Sequence, residues 1–267
     1  MRAVEPQVFL LAETVLPDDG ALPAYLQEIG AEEFRDSWVA PSDAEALVEV
    51  AGRVCYRAFK PGLNPIVTKV REGNGLYLKN LLAQHHGSVL EHASVSFLFL
   101  HVSRVFTHEL VRHRVGVGIS QESLRYVRLA DLSFWMPAAF RDDPDRDRRA
   151  RVLKRNTEIL EALEEHQRYL AQEYALDETG DFEYKKRITS AMRRFAPLGL
   201  ATAILWTANF RTLRWVIEER TAPAAEEEIR LVFDRVAGIC SARYRNVFQD
   251  FQRDEATGAW TPGAHKV

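Results

Sequence analysis

The residues best suited to chemistry lie in one short stretch. Between His101 and Leu129 the chain places five arginines (Arg104, Arg112, Arg114, Arg125 and Arg128) against two acids, Glu109 and Glu122, a local charge of +3. Inside it runs LVRHRVGVGISQESLRYV: a basic triplet, a glycine-containing loop, two serines and a further arginine. Arginine offers planar, bidentate donors that match phosphate oxygens. Serine hydroxyls and backbone N–H groups in a flexible loop add neutral donors around the same oxygens. The pattern therefore suits phosphate recognition. It equally suits a basic helix end, favourable to the helix dipole, followed by a solvated turn. Burial separates the two: ligand arginines converge on a cavity, solvated ones point outward.

Other reactive residue types are less eloquent. Ser123 lies ten residues after His113, but no acidic orienter accompanies the pair and Arg125 is its neighbour, so phosphate binding is the better reading than a nucleophile. His85, His86, His92, His101, His108 and His113 occur without an H-E-x-x-H or cysteine-containing pattern, so no metal site is expected. Two cysteines, Cys55 and Cys240, make no disulfide framework and sit in no evident catalytic pairing. Taken alone, Arg220 beside Glu218 and Glu219 reads as a surface ion-pair cluster, and Trp206 and Trp215 read as core residues.

The elements that must position these residues are mostly helical. Ser42 with Glu45 three positions on is a capping-box start for a helix to about Tyr56, and a second helix fits Leu76 to about His86. SVSFLFLHV (94–102) reads as a buried strand leading into an amphipathic helix with Val105, Phe106, Leu110 and Val111 on one face. Gly116 and Gly118 are expected to break any regular element. A long amphipathic helix fits about 146–175, and another, capped near Asp181, reaches Arg194. LATAILWTA (200–208) is strand or helix, and a last helical pattern starts at Pro223 with three following glutamates and runs towards Phe251. The chain after about 254 is expected to be loose. With no repeat or linker, residues 1–267 read as one α/β domain.

Composition bounds the class. The chain has 267 residues, 35 basic against 38 acidic, a formal charge of −3, and is 46% hydrophobic and 27% charged. That is an ordinary globular balance, without the bulk positive charge of a general nucleic-acid binder. No apolar run spans a bilayer, and the opening residues fit a secretion signal poorly, so the expectation is a cytoplasmic protein with no membrane and no nucleic-acid partner.

Three ordered blocks sharpen this. HHGSVLEHASVSF (85–97), RHRVGVGISQESLRY (112–126), and NFRTLRWVIEER (209–220) followed by AEEEIR (225–230) together resemble the signature of flavin-dependent thymidylate synthases. AGRVCY (51–56) is similar to the end of that family's first helix. The resemblance implies the family fold, an α/β architecture with a central, mainly antiparallel sheet flanked by long helices. It implies FAD as cofactor, dUMP as substrate, methylenetetrahydrofolate as one-carbon donor, NADPH as reductant, and a homotetramer whose sites draw on several subunits.

Site roles follow from the same resemblance. Arg112, His113 and Arg114 would lie on the flavin, with Arg112 near the nucleotide too, and His86, Ser88, Gln121, Asn209 and Arg211 would join them. Glu109, Gln121, Glu122, Ser123, Leu124 and Arg125 would serve the nucleotide, with Ser123 and Arg125 on its phosphate and Arg193 reaching it. Arg220 would be the catalytic residue, contacting the uracil and favouring ionisation at N3.

The chain departs from the family pattern in four places. Eight residues, Val115 to Glu122, separate Arg-His-Arg from Ser123 where seven are usual. Placing the extra residue in the 115–119 loop gives Gln121 the contact position; the other alignment gives it to Glu122. Glu109 replaces a frequent Gln, Trp215 a frequent Asn, and Ala224 a frequent His, so Trp215 and Ala224 are left outside the expected site. Two further readings are a related flavoprotein that oxidises NADPH without methylation, and a module binding a nucleic-acid phosphate backbone.

Overall fold

The computed structural model describes residues 2–17, 19–127 and 132–265. Arg128, the last of the five arginines, lies outside the described residues. Four strands, β1 (Gln7–Glu13), β2 (Ser94–Ser103), β3 (Val117–Gln121) and β4 (Ala201–Asn209), form a sheet in the order β1-β2-β4-β3. The ambiguous 200–208 run is thus a strand. Its burial alternates, with Thr202, Ile204, Trp206 and Ala208 inward, the period of a pleated strand. β2 and β4 are antiparallel: Phe210 N–H donates to Ala93 C=O at 2.9 Å, and Val105 N–H to Leu198 C=O at 3.2 Å. β3 and β4 follow the same sense through Asn209 to Gly116 at 3.0 Å and Glu122 to Ala203 at 3.0 Å. Gly118 sits inside β3, so of the two glycines expected to interrupt structure only Gly116 does so.

The main helices are α1 (Asp43–Tyr56), α2 (Asn74–Ala83), α3 (Arg104–Leu110), α4 (Arg146–Glu173), α5 (Phe182–Met192), α6 (Phe210–Thr221) and α7 (Glu227–Arg243). Side-chain caps explain several starts. The Ser42 hydroxyl accepts the Glu45 N–H and donates to its carboxylate at 2.9 Å, while Asp181 accepts from Tyr184 N–H at 3.0 Å. α7 starts later than Pro223 because Glu226 is the residue whose carboxylate takes the Glu228 and Ile229 amides.

The chain divides into two compact units. One comprises residues 1–9, 98–112 and 119–205 and includes α3, α4 and α5; part of its core is Leu124, Leu132 and Leu200, packed by Leu163 and Ala196. The other comprises residues 10–97, 113–118 and 206–267 and includes α1, α2, α6 and α7. There Phe210 packs on Tyr244 at 4.9 Å between ring centres, and Trp206 packs edge-on to Phe233 at 5.8 Å.

The tail corrects the expectation of looseness. Phe251–Arg253 pairs antiparallel with Trp260–Pro262. Arg253 forks onto Asp234 at 2.8 and 2.9 Å, and the Trp260 indole N–H reaches the same carboxylate at 2.7 Å. Arg214, 4% exposed, makes a bidentate pair with Asp250 at 2.8 Å and also donates to the Val247 carbonyl. Burial pulls the Asp250 carboxyl upward, but Arg214 and the Ala264 amide outweigh it and hold the pKa below the ordinary 3.8. A depressed carboxyl pKa contributes stability above its unfolded value and loses it as pH falls through the folded one. Asp250→Ala should therefore cost about 3 kcal/mol in urea unfolding at pH 7, because it strands a buried cation. The gap from the parent should shrink as the pH drops below the ordinary carboxylate range.

Candidate active site

The junction where β4 becomes α6 builds much of the site. Asn209 ends the strand with its N–H on the Gly116 carbonyl and starts the helix by accepting the Thr212 N–H at 2.9 Å. Thr212 then donates its hydroxyl to the Val115 carbonyl at 2.7 Å. The loop after Arg-His-Arg is thus tied to the helix start at two consecutive residues. Gly116 has φ +68°, and a Cβ there would fall 2.3 Å from the Asn209 amide nitrogen. The longer motif loop passes Asn209 only because this position is glycine.

α6 carries two motif arginines nine residues apart, two and a half helical turns, and so on opposite sides. Arg220 donates through Nε to His113 Nε2 at 2.7 Å. His113 is 5% exposed and takes the Trp215 ring edge-to-face at 4.8 Å. Trp215, set aside on sequence grounds, is therefore the residue that packs the motif histidine. The same contact shows Arg220 to be bound to a motif residue, not merely part of a surface cluster with Glu218 and Glu219. Glu218 is itself engaged by His265 at 2.5 Å.

Arg211 lines a cavity of about 600 Å³, within the usual range for small-molecule sites. His86 and Ser88 line it too, so residues of the first and third motif blocks meet there. Tyr56 stacks on His86 with 6.1 Å between ring centres and 20° between planes. The wall includes cationic and neutral polar groups but no carboxylate among the described residues. Arg211 is paired with Glu91 at 2.5 Å, from the same first block. Tyr77 closes one side, its phenol pushed up to about 12 by burial and hence neutral. A carboxylate-free wall with an aromatic pair and several cations fits an anionic, ring-bearing group such as FAD.

Glu109, Arg112, Gln121 to Arg125 and Arg193, expected from the resemblance to serve the nucleotide, fall in the other unit, whereas Arg220 does not. The Gln121 amide donates to the Thr107 hydroxyl at 3.3 Å, whereas the Glu122 carboxylate accepts from the Ala203 N–H at 3.3 Å and the Thr202 hydroxyl at 3.4 Å. Glu122 is therefore spent partly on the neighbouring strand. The Ser123 hydroxyl oxygen accepts the Arg125 N–H at 3.3 Å in a local turn, while Leu124 is buried in the core. Arg125, Arg112, Arg114 and Arg193 are exposed and Glu109 half-buried. The Arg-His-Arg triplet is divided in sequence, Arg112 closing a segment of one unit and His113 and Arg114 opening one of the other.

Arg104, noted for its charge but given no role by the resemblance, belongs with these residues. It donates to the Glu122 carbonyl at 3.0 Å. Its pKa is lowered first by burial and then by the like charge of Arg193, with Glu122 opposing. A like charge disfavours a cation, so Arg104 and Arg193 repel each other here. The clue in the sequence was its position, at the start of the helix that leads into Arg-His-Arg.

A cationic, aromatic-lined cavity and a histidine-anchored arginine are compatible with an enzyme that binds nucleotides. Comparison with known proteins says which kind. The family model described as thymidylate synthase complementing protein matches residues 38–244. A flavin-dependent thymidylate synthase of Mycolicibacterium gilvum is 35% identical over 254 residues, covering 86% of this chain and 90% of the relative. One from Corynebacterium efficiens is 35% identical over 215 residues, covering 78% and 80%. Among solved structures, the UMP/dUMP methylase PolB of Streptomyces cacaoi, bound with 5-Br dUMP, has the same fold, with a TM-score of 0.61 at 18% identity over 91% of this chain and 93% of that one. The chain belongs to the flavin-dependent thymidylate synthase family, with the mixed helix and sheet fold expected of it.

The junction gives a direct test. Gly116→Ala should destabilise the protein by about 1–3 kcal/mol, from overpacking against Asn209 and an unfavourable positive φ. Thermal unfolding reads the loss. Gly118→Ala, whose Cβ would have ordinary 3.7 Å contact with Thr207, should leave the midpoint nearly unchanged.

Proposed function

We propose that this chain makes dTMP from dUMP, with methylenetetrahydrofolate as one-carbon donor, NADPH as reductant and FAD as cofactor. The observation that carries the reading is the carboxylate-free cavity in which His86 and Ser88 meet Arg211. Bound FAD would supply a ring that accepts and returns reducing equivalents. Arg112, His113, Arg114, Gln121 and Asn209 complete the set that would hold it.

The remaining residues act on the nucleotide. Ser123, Arg125 and Arg193 take its phosphate through charge-assisted and hydroxyl hydrogen bonds, and Glu109, Gln121, Glu122 and Leu124 shape the pocket around it. Arg112 serves both ligands. Uracil C5 becomes nucleophilic as negative charge enters the ring, and Arg220 beside N3 and its carbonyls stabilises that charge. The Arg220 guanidinium supplies a positive charge together with planar N–H donors. Its bond to the buried His113 supports this role by fixing the guanidinium before substrate arrives. The cysteines do not favour a thiolate route: burial pushes the Cys240 thiol far above its ordinary value, and the Cys55 thiol donates to the Ala51 carbonyl of its own helix.

Among the described residues no helix is long and apolar enough to cross a membrane. We take the enzyme to work in the cytoplasm, as a homotetramer, with the whole chain as one catalytic domain; the family match over 38–244 runs through segments of both units.

Purified protein should show flavin absorbance that bleaches with NADPH, and radiolabel from methylenetetrahydrofolate should appear in dTMP. NADPH consumption without dTMP would make it an oxidase; failure to bind FAD, with salt-sensitive binding to nucleic acid, would favour the phosphate-backbone module. Arg220→Ala should lower turnover by about 100-fold or more while flavin stays bound. Ser123→Ala should raise the dUMP Kd about tenfold with modest change in kcat; lost turnover at normal affinity would point instead to a nucleophilic serine.

A further inference from the structure

The segment between α1 and α2, residues 57–73, belongs to none of the three motif blocks and forms no helix or strand. It is nonetheless fixed at both ends by one buried side chain. Arg53, 2% exposed, donates to the Ala58 carbonyl at 2.6 Å and to the Arg71 carbonyl at 2.8 Å. Glu49, fully buried, holds that guanidinium through Nε at 2.8 Å and Nη2 at 2.6 Å. The guanidinium also lies over the Phe34 and Tyr77 rings at 4.8 and 4.4 Å. Glu49 is oriented in turn by the Trp38 indole at 2.9 Å and the Asn74 amide at 2.7 Å. Such a network, every member engaged, specifies one conformation of the loop base.

What the loop presents is charge. Thr68, Lys69 and Arg71 line the cavity that His86, Ser88 and Arg211 also line. Among the described residues neither Lys69 nor Arg71 has an ion-pair partner, unlike Arg211, which is neutralised by Glu91. A pinned loop that brings two unneutralised cations to a cavity without a carboxylate, next to a stacked Tyr56–His86 pair, is arranged for a ligand with phosphate beside a flat ring.

Resting on the flavin reading above, we infer that Lys69 and Arg71 hold the phosphates of the adenosine diphosphate half of FAD, and that Arg53 is the positioning residue for the loop that carries them. Lys69 acts as a point charge and Arg71 as a bidentate donor. NADPH carries the same adenosine diphosphate chemistry, so the test separates the two dinucleotides.

The full-length protein, stripped of flavin, is titrated with FAD, FMN, ADP and NADPH by calorimetry. The Lys69→Ala/Arg71→Ala variant should bind FAD and ADP about tenfold or more weakly, by a similar factor for each, with a smaller effect on FMN and a shallower salt dependence for FAD. Arg53→Lys, which keeps the charge but loses the fork, should weaken FAD and ADP while circular dichroism and ligand-free melting show a folded protein; Arg53→Lys binding FAD like the parent overturns its positioning role. Unchanged FAD affinity in the double variant overturns the inference, as does equal loss of FAD and FMN, or a loss confined to NADPH. Parent protein that binds ADP in the cavity but no FAD or FMN sinks the flavin reading itself, a result distinct from any of these.

Discussion

Asn209 is the point on which the motif geometry turns. One residue closes a strand, caps a helix and bears on the loop that follows Arg-His-Arg. Its amide side chain can serve as a cap only if the helix begins at Phe210, and that start sets the phase of everything α6 carries. With the phase fixed, Arg211 faces the cavity and Arg220 reaches His113 from the other side of the helix. Shifting the cap by one residue would rotate both by about 100° and disconnect them. Gly116 is the complement of this constraint, since any side chain there would contest the space Asn209 fills.

Much of this was readable in the residues. Local patterning located α1, β2, α4 and α5 because capping residues and apolar period agreed there. The motif blocks named His86, Ser88 and Arg211, and the structure brings those three to one cavity. Gln121 and Glu122 were interchangeable as letters; their partners differ, one engaging the Thr107 hydroxyl and the other the neighbouring strand. The choice between strand and helix for 200–208 also needed partners, because a short run buried on one side and half-covered on the other has no decisive period.

What escaped the reading depends on contacts distant in sequence. The terminal hairpin is held by Asp234 and by the Arg214–Asp250 pair, neither of which has any local signature. β1 was missed because it exposes Phe9 and Leu11, so its alternation does not separate polar from apolar. Trp215 was judged by its unusual identity for the family, yet its place on α6 puts it edge-on to His113. Arg53 looked like any helical arginine until its two carbonyl partners, Ala58 and Arg71, were seen to bracket a loop.

The contact between Arg220 and His113 also decides where a proton sits. Guanidinium is only a donor, so the imidazole nitrogen facing it must offer its lone pair. A neutral ring that accepts at Nε2 carries its hydrogen on Nδ1. The lone pair that would make His113 a general base is thereby occupied. In this geometry the buried histidine of the motif anchors the Arg220 guanidinium.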